Sequence, residues 1–347
     1  MKALLKRSRK PGDMILTDLP VPRPGPGQLL AKVAYAGVCG SDLDILESLN
    51  DIYRPPVVQG HEFSAVVSET GEGVPGFSPG DKIVSETLFE SCGECQPCLD
   101  GYDHLCLHKK IVGWTENGGF ADYVLLNSRF VHKLSPEADL KSAALIEPSA
   151  ISAEAVSVKG RFQPGETAAV VGPGATGLLS ALTAKALGAK RVFLIGRQTS
   201  PKLRFPIARN LGIEHCIDSS ITDPADYLLK HNDGKLADLV VDSTGNISGF
   251  LQALSMVKRN GRLIELGSIT TETPFPWQKA AFQAVDLNFV FSSSHAAWAK
   301  AVELFERDHL DLKQLATHVY PLEQWQDAMK TAQDSTKSFK VLFQPKG

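Results

Sequence analysis

Four cysteines packed into one short segment constrain this chain more than any bulk property. They read Cys92-x2-Cys95-x2-Cys98-x7-Cys106. Disulfide frameworks belong mainly to small secreted domains. This chain has 347 residues, and its opening MKALLKRSRKPG breaks off after a three-residue apolar stretch into a charge cluster, unlike an export signal. Clustered thiols in such a chain point to metal. Four thiolates this close in sequence surround one tetrahedral ion and leave no position open to a substrate, so the expected role is structural zinc. The spacing also has the look of some iron–sulfur runs, the competing reading.

Bulk properties exclude other classes. The formal net charge is −3 and the pI is near 6.3, which gives no field for attracting nucleic acid or an anionic membrane. No apolar run approaches the ~18 residues of a membrane helix. The expectation is a soluble, cytoplasmic protein, with no nucleic-acid or membrane partner. At roughly 100–200 residues per domain, the length implies two domains.

The patterning divides the chain near residue 150. Residues 1–150 alternate short apolar runs (29–33, 63–67, 82–84) with Gly/Pro turns, as in a compact, mostly β domain. From 151 to 291 strands alternate with helices. Strand candidates are 166–171, 191–195, 215–218, 236–242, 261–266 and 286–291, and helix candidates include 177–187 and 202–211. That alternation implies an α/β unit, a parallel sheet doubly wound by helices. Residues 292–347 read as helix 296–307, a short run 317–320, helix 322–332 and a closing strand 338–343.

Two further patterns carry chemistry. Gly172-Pro173-Gly174-Ala175-Thr176-Gly177 is a GxGxxG motif that follows a strand and opens a helix, the context of a dinucleotide phosphate turn. Gly37-Val38-Cys39-Gly40-Ser41-Asp42, Gly60-His61-Glu62 and Ala144-Leu145-Ile146-Glu147-Pro148 supply a Cys, a His and two Glu residues. Three mixed ligands with a fourth position free are the mark of catalytic zinc.

The order CGSD, GHE, four-cysteine lobe, IEP and GxGxxG resembles the zinc-dependent medium-chain dehydrogenases. It is most similar to their polyol branch of sorbitol, galactitol-phosphate, arabitol-phosphate and threonine dehydrogenases. The resemblance runs nearly end to end and includes Gly118-Gly119-Phe120-Ala121-Asp122-Tyr123, Asp242-Ser243-Thr244-Gly245 and Thr317-His318-Val319-Tyr320-Pro321-Leu322. It implies a GroES-like catalytic domain (1–150) with two zinc ions per chain, a Rossmann domain (151–291) and a C-terminal return (292–347). It implies Cys39 and His61 as catalytic-zinc ligands, Glu62 or Glu147 as the third, and Ser41 as the hydroxyl at the substrate oxygen. The implied reaction is hydride transfer between a secondary alcohol, a polyol or sugar-derived compound, and NAD(P). Threonine or aldonate oxidation, or a catalytically silent nucleotide-binding relative, are the alternatives. By analogy the assembly is a homodimer or homotetramer.

Four positions depart from that family's pattern. Ile195-Gly196-Arg197 lacks the acid expected about 20 residues after the glycines, so Arg197, Lys202 and Arg204 point to NADP(H) over NAD(H), with the space at Gly196 left empty. Gly172, Gly174, Ala175, Thr176, Gly177, Thr244 and Gly267 complete the expected cofactor contacts. Ala65 replaces a usual glycine, Asp44 a relay histidine, and Phe291-Ser292-Ser293-Ser294-His295 lacks an arginine suited to phosphorylated substrates.

Overall fold

A computed structural model describes residues 1–346 apart from Asn50, Thr199 and Thr271, and without the side chain of Pro201. The chain divides into two compact units, 1–147 with 312–347, and 148–311. Among the described residues no helix is long and apolar enough to cross a membrane.

The first unit is mostly β. Its larger sheet runs Val131–Lys133, Lys82–Ser85, Glu62–Thr70, Gln28–Gly37, Lys340–Phe343, Ala316–Tyr320, with Tyr123–Asn127 also paired to Gln28–Gly37. A three-stranded sheet holds Met14–Asp18, Lys2–Lys6 and Val57–Val58. Alternate residues of these strands point to one face, and that face builds a core of Leu29, Ala31, Val33, Phe63, Val67, Ile83, Phe120, Val124 and Phe343. Ala65 belongs to it: fully buried, it opposes Val33 on one side and Ile83 on the other. Its methyl is core packing, which accounts for the departure from glycine.

In the longest strand, Gly37 opposes Glu62 on one neighbour and Leu342 on the other. A Cβ on Gly37 would collide with the Glu62 carboxylate and press on Lys340 Cε at 3.2 Å. Glycine here makes room for two charged side chains to meet over the strand.

The second unit is a six-stranded parallel sheet in the order His215–Asp218, Arg191–Gly196, Thr167–Val171, Ala237–Asp242, Val257–Glu265, Asp286–Phe289. The central strand Thr167–Val171 is buried throughout, as a strand covered on both faces must be. Strand order reverses between it and Ala237–Asp242, where an open α/β sheet leaves a crevice at its C-terminal edge. Beneath the sheet lies a core of Ala169, Phe193, Ile217, Leu228, Val240, Phe250, Leu254 and Leu263.

One boundary differs from the sequence reading. The chain rejoins the first unit at Leu312, later than 292. Helix His295–Glu306 stays with the second unit because Trp298, Ala297 and Ala301 are buried there. Its N-cap residue Ser294 also donates to buried Glu154 through its backbone N–H (3.1 Å) and its hydroxyl (2.5 Å). Glu154 opens a π-helical segment, Glu154–Lys159, that periodicity did not signal.

Candidate metal centres and nucleotide cleft

The four-cysteine lobe closes on itself. Sulfur separations are 3.5 Å for Cys95–Cys98 and Cys92–Cys106, 3.8 Å for Cys95–Cys106 and 4.0 Å for Cys92–Cys98. An ion bonded to four thiolates in a tetrahedron sets neighbouring sulfurs about 3.8 Å apart, so the donors fit zinc. The Cys92 and His108 N–H groups each donate to Cys106 Sγ at 3.3 Å, and Cys95 N–H donates to Cys92 Sγ at 3.4 Å. The backbone N–H groups of Leu107 and Cys98 draw the Cys95 thiol down to about 6, into the range of a ready thiolate.

The second centre is assembled from separated strands. Cys39 caps helix Gly40–Leu46, and its backbone N–H donates to Asp42 Oδ2 at 2.9 Å. His61 precedes the strand Glu62–Thr70 and turns its Nδ1 to 3.6 Å from Asp42 Oδ1. Ligand atoms of Cys39, His61 and Glu62 all lie within 4.8 Å of one another. A thiol, an imidazole and a carboxylate brought this close are the mixed donor set of an open zinc site. This set fits a three-ligand zinc site. Burial opposes charging His61, but Asp42 and Cys39 outweigh it and hold the imidazole well above its usual range.

Glu147, on helix Ile146–Ala153, is buried close by. Burial, with Glu62 and Asp42 adding to it against His61 and Lys340, pushes its carboxyl up to about 7. It stands outside the convergence of Cys39, His61 and Glu62. Ser41 lies half-buried on the first turn of Gly40–Leu46, and Asp44 is exposed further along that helix.

Sequence reasoning missed Lys340. Its Nζ donates to Glu62 Oε1 at 2.6 Å and sits 2.5 Å from Oε2, and both side chains are almost fully buried. Burial works against its charge, yet Glu62, Cys39 and Glu147 keep its pKa raised. The available signal was a lysine at the head of an otherwise apolar closing strand, Lys340–Phe343. Trp114 was also missed; its ring meets His61 edge-on at 6.1 Å.

In the second unit, Gly172 takes a φ of +94° and Gly177 packs so tightly on its carbonyl that a Cβ could not fit. Gly174 caps helix Ala175–Ala186, which places Ala175 and Thr176 on its first turn. Beside this turn opens a cleft of about 430 Å³ lined by Gly172, Pro173, Arg197, Ser219, Ser220, Thr244 and Ser248 among others, with no Asp or Glu. Arg197 Nη1 donates to Ser248 Oγ at 3.3 Å. Asp218 is turned away, accepting from the Ser220 N–H at 2.9 Å and hydroxyl at 2.5 Å.

Four expectations change here. The space beside Gly196 is filled, since Ser200 Oγ and Pro173 Cγ stand 2.5 and 2.9 Å from where a Cβ would be. Lys202 is exposed and outside the lining. Arg204 is also outside it, donating instead to the Pro173 carbonyl at 3.2 Å. Gly267 packs against Gly245 rather than lining the cleft. The serines at 219, 220 and 248 went unread because strand and helix ends far apart in sequence bring them together.

Two families match. Residues 25–136 match the alcohol dehydrogenase GroES-like domain, and residues 175–307 match the zinc-binding dehydrogenase family. The chain is 33% identical to a sorbitol dehydrogenase of Halalkalibacterium halodurans, over 99% of each chain. It is 31% identical to a D-arabitol-phosphate dehydrogenase of Enterococcus avium, over 99% of this chain and 97% of that one. It is also 31% identical to an L-threonine 3-dehydrogenase of Bacillus velezensis, over 96% of each. Among solved structures, a putative zinc-binding dehydrogenase from Sinorhizobium meliloti bound to NADP superposes with a TM-score of 0.90 at 26% identity, covering 99% of both chains. A short chain alcohol dehydrogenase from E. coli CFT073 complexed with NADH gives 0.89 at 25% identity, again over 99% of both. With its sequence similarity running end to end and two donor sets suited to zinc, the chain belongs to the zinc-containing medium-chain alcohol dehydrogenases, NAD(P)-dependent oxidoreductases acting on CH–OH groups.

Proposed function

We propose that this enzyme interconverts a secondary alcohol and its ketone on a small, polyhydroxylated, unphosphorylated compound, a polyol or sugar derivative, and favours NADP(H) over NAD(H). The observation that carries the chemistry is the convergence of Cys39, His61 and Glu62. When bound, zinc would supply Lewis acidity toward the substrate oxygen, and a dinucleotide would supply the hydride chemistry. Cys39, His61 and Glu62 hold the ion, with Glu147 the alternative third ligand. Asp42 orients His61, as a carboxylate behind a ligating imidazole does. The Ser41 hydroxyl would relay the alcohol proton, taking it up while passing its own to water. Threonine or aldonate oxidation remains the second reading, favoured by the threonine dehydrogenase relative.

The cofactor preference rests on the cleft. An adenosine ribose with free hydroxyls calls for a carboxylate, and none lines this one. A 2′-phosphate calls for a guanidinium, which Arg197 provides in the cleft lining.

A homo-oligomer is supported by the outer edge of the second unit. Trp277, Phe282, Phe289 and Phe291 are 75, 72, 66 and 57% exposed on or just beyond helix Trp277–Gln283 and the edge strand Asp286–Phe289. An open strand edge flanked by aromatics is the kind of surface a second copy covers.

The test is a panel of polyols, aldonates, L-threonine, simple alcohols and sugar phosphates, each run with NADP and NAD. Turnover of an unphosphorylated polyol with NADP is the expected result. Preference for benzyl alcohol or octanol over every polyol, or strict need for a sugar phosphate, overturns the substrate reading. Failure with NADP alone overturns the cofactor reading.

A further inference from the structure

Two acids lie under the nucleotide cleft with no part in the chemistry proposed above. Asp242 ends the strand Ala237–Asp242, Glu265 ends Val257–Glu265, and the two are register partners. Adjacent partners carry their side chains on the same face of a sheet. Their exposure is 0% and 4%. Asp242 Oδ2 and both Glu265 carboxyl oxygens lack a well-formed hydrogen bond.

Among the described residues no cation acts on either acid. Burial is the largest influence on each, and the only charged group acting on Glu265 is Asp242. The ionisable groups on the elements packed against these strands are engaged elsewhere. Asp238 pairs with Lys258, Arg262 with Glu166, and Asp286 with Arg161. Glu154 accepts from Ser294, and Lys185 donates to the Leu211 carbonyl. Arg259 and Lys279 are exposed, and they and Lys159 act on neither acid. Two neighbouring carboxyls out of water and without a counter-ion cannot both ionise, so they hold one proton between them.

The backbone around this pair carries the cleft. The Thr244 N–H donates to Asp242 Oδ1 at 3.0 Å. Leu266 and Gly267 N–H groups donate to the Asp242 carbonyl at 2.8 and 3.2 Å, and Val290 N–H to the Glu265 carbonyl at 3.0 Å. Ser243, beside Asp242, donates its hydroxyl to the carbonyls of Val171 and Gly172, each at 2.9 Å. The phosphate turn, the segment bearing Thr244 and the segment bearing Gly267 thus share one anchor.

We propose that Glu265 is a positioning residue for the dinucleotide: protonated beside Asp242, it keeps the segments bearing Thr244 and Gly267 together, and loss of its proton loosens the cleft. The inference rests on the dinucleotide reading of that cleft. Burial and the Asp242 charge push Glu265 up to about 9. The sign follows: the acid is the binding form, so affinity is complete below that value and declines as pH rises through it.

The experiment is a fluorescence titration of the intact enzyme with NADPH and with NADH from pH 7 to 10. Wild type is expected to bind either nucleotide about tenfold more weakly at pH 10 than at pH 8. Glu265→Gln, a permanently neutral donor, is expected to lose that dependence, and Glu265→Leu to bind weakly at every pH. A wild-type affinity flat from pH 8 to 10, or the same alkaline decline in Glu265→Gln, overturns the proposal. Should Glu265→Gln not fold, infrared spectra of wild type decide. A carboxylic-acid carbonyl band at pH 8 that vanishes by pH 10 and returns with NADPH supports the proposal; no such band at pH 8 overturns it. Binding of neither nucleotide refutes the dinucleotide reading instead, and the NADPH-to-NADH ratio at pH 8 tests Arg197 separately.

Discussion

The two metal centres of the first unit are built in opposite ways. All four sulfurs of the lobe come from residues 92–106, and none but Cys106 is buried. The second centre draws Cys39 from a helix cap and His61 and Glu62 from the start of a strand. Its buried cation, Lys340, sits 278 residues from Glu62. A local centre needs only a short loop to close, whereas the assembled one exists only after the sheet has formed. Burial then makes each of its charges depend on the others.

That contrast breaks most visibly in single-site variants. Cys39→Ser and His61→Ala are expected to lower kcat at least ~10³-fold, because the metal supplies several kcal/mol to the transition state. Both should keep nucleotide binding and one zinc per chain by metal analysis. If either retains more than about a tenth of wild-type kcat, Lewis-acid catalysis at this centre is wrong. Chelators should likewise remove activity and one zinc before circular dichroism changes, since the lobe has no open position.

Ser41→Ala is expected to lose roughly 10²–10⁴-fold in kcat if its hydroxyl moves the proton in the transition state. A near-normal rate with metal content unchanged removes Ser41 from the mechanism.

Lys340→Met probes the dependence among charges. In the metal-free enzyme, leaving Glu62 buried without a counter-charge should cost about 3–5 kcal/mol in urea unfolding, the usual penalty for breaking a buried pair from one side. Adding Glu62→Gln should restore most of that stability without restoring turnover. Equal destabilisation in the single and double variants means that Lys340 contributes by packing, not charge.

The smallest effect is expected in the cleft. Arg197→Ala should raise KM for NADP by about an order of magnitude, in line with ~1.5–3 kcal/mol for a charge-assisted hydrogen bond, and barely change KM for NAD. Equal loss with both cofactors assigns Arg197 a general role at the cleft rim.

Legibility in the sequence followed the same division. The Cys92–Cys106 lobe and the turn Gly172–Gly177 were readable because their geometry is set within a few residues by ligand spacing, a left-handed glycine and a helix start. Cys39, His61 and Glu62 were named from motifs, yet nothing local showed that Glu62 converges with the other two while Glu147 stands apart. Lys202 and Arg204 looked equivalent to Arg197 in sequence; helix geometry exposed one and turned the other to the Pro173 carbonyl.

By itself, the sequence determined two domain types, one closed thiolate lobe and one phosphate turn, because periodicity, glycine conformational freedom and ligand spacing act over short stretches of chain. Only the tertiary structure decided that Lys340 neutralises Glu62, that helix His295–Glu306 stays with the parallel sheet, and that Asp242 meets Glu265. Each of these depends on strand register or buried packing between residues distant in sequence. A one-residue shift in register would turn every such side chain to the opposite face.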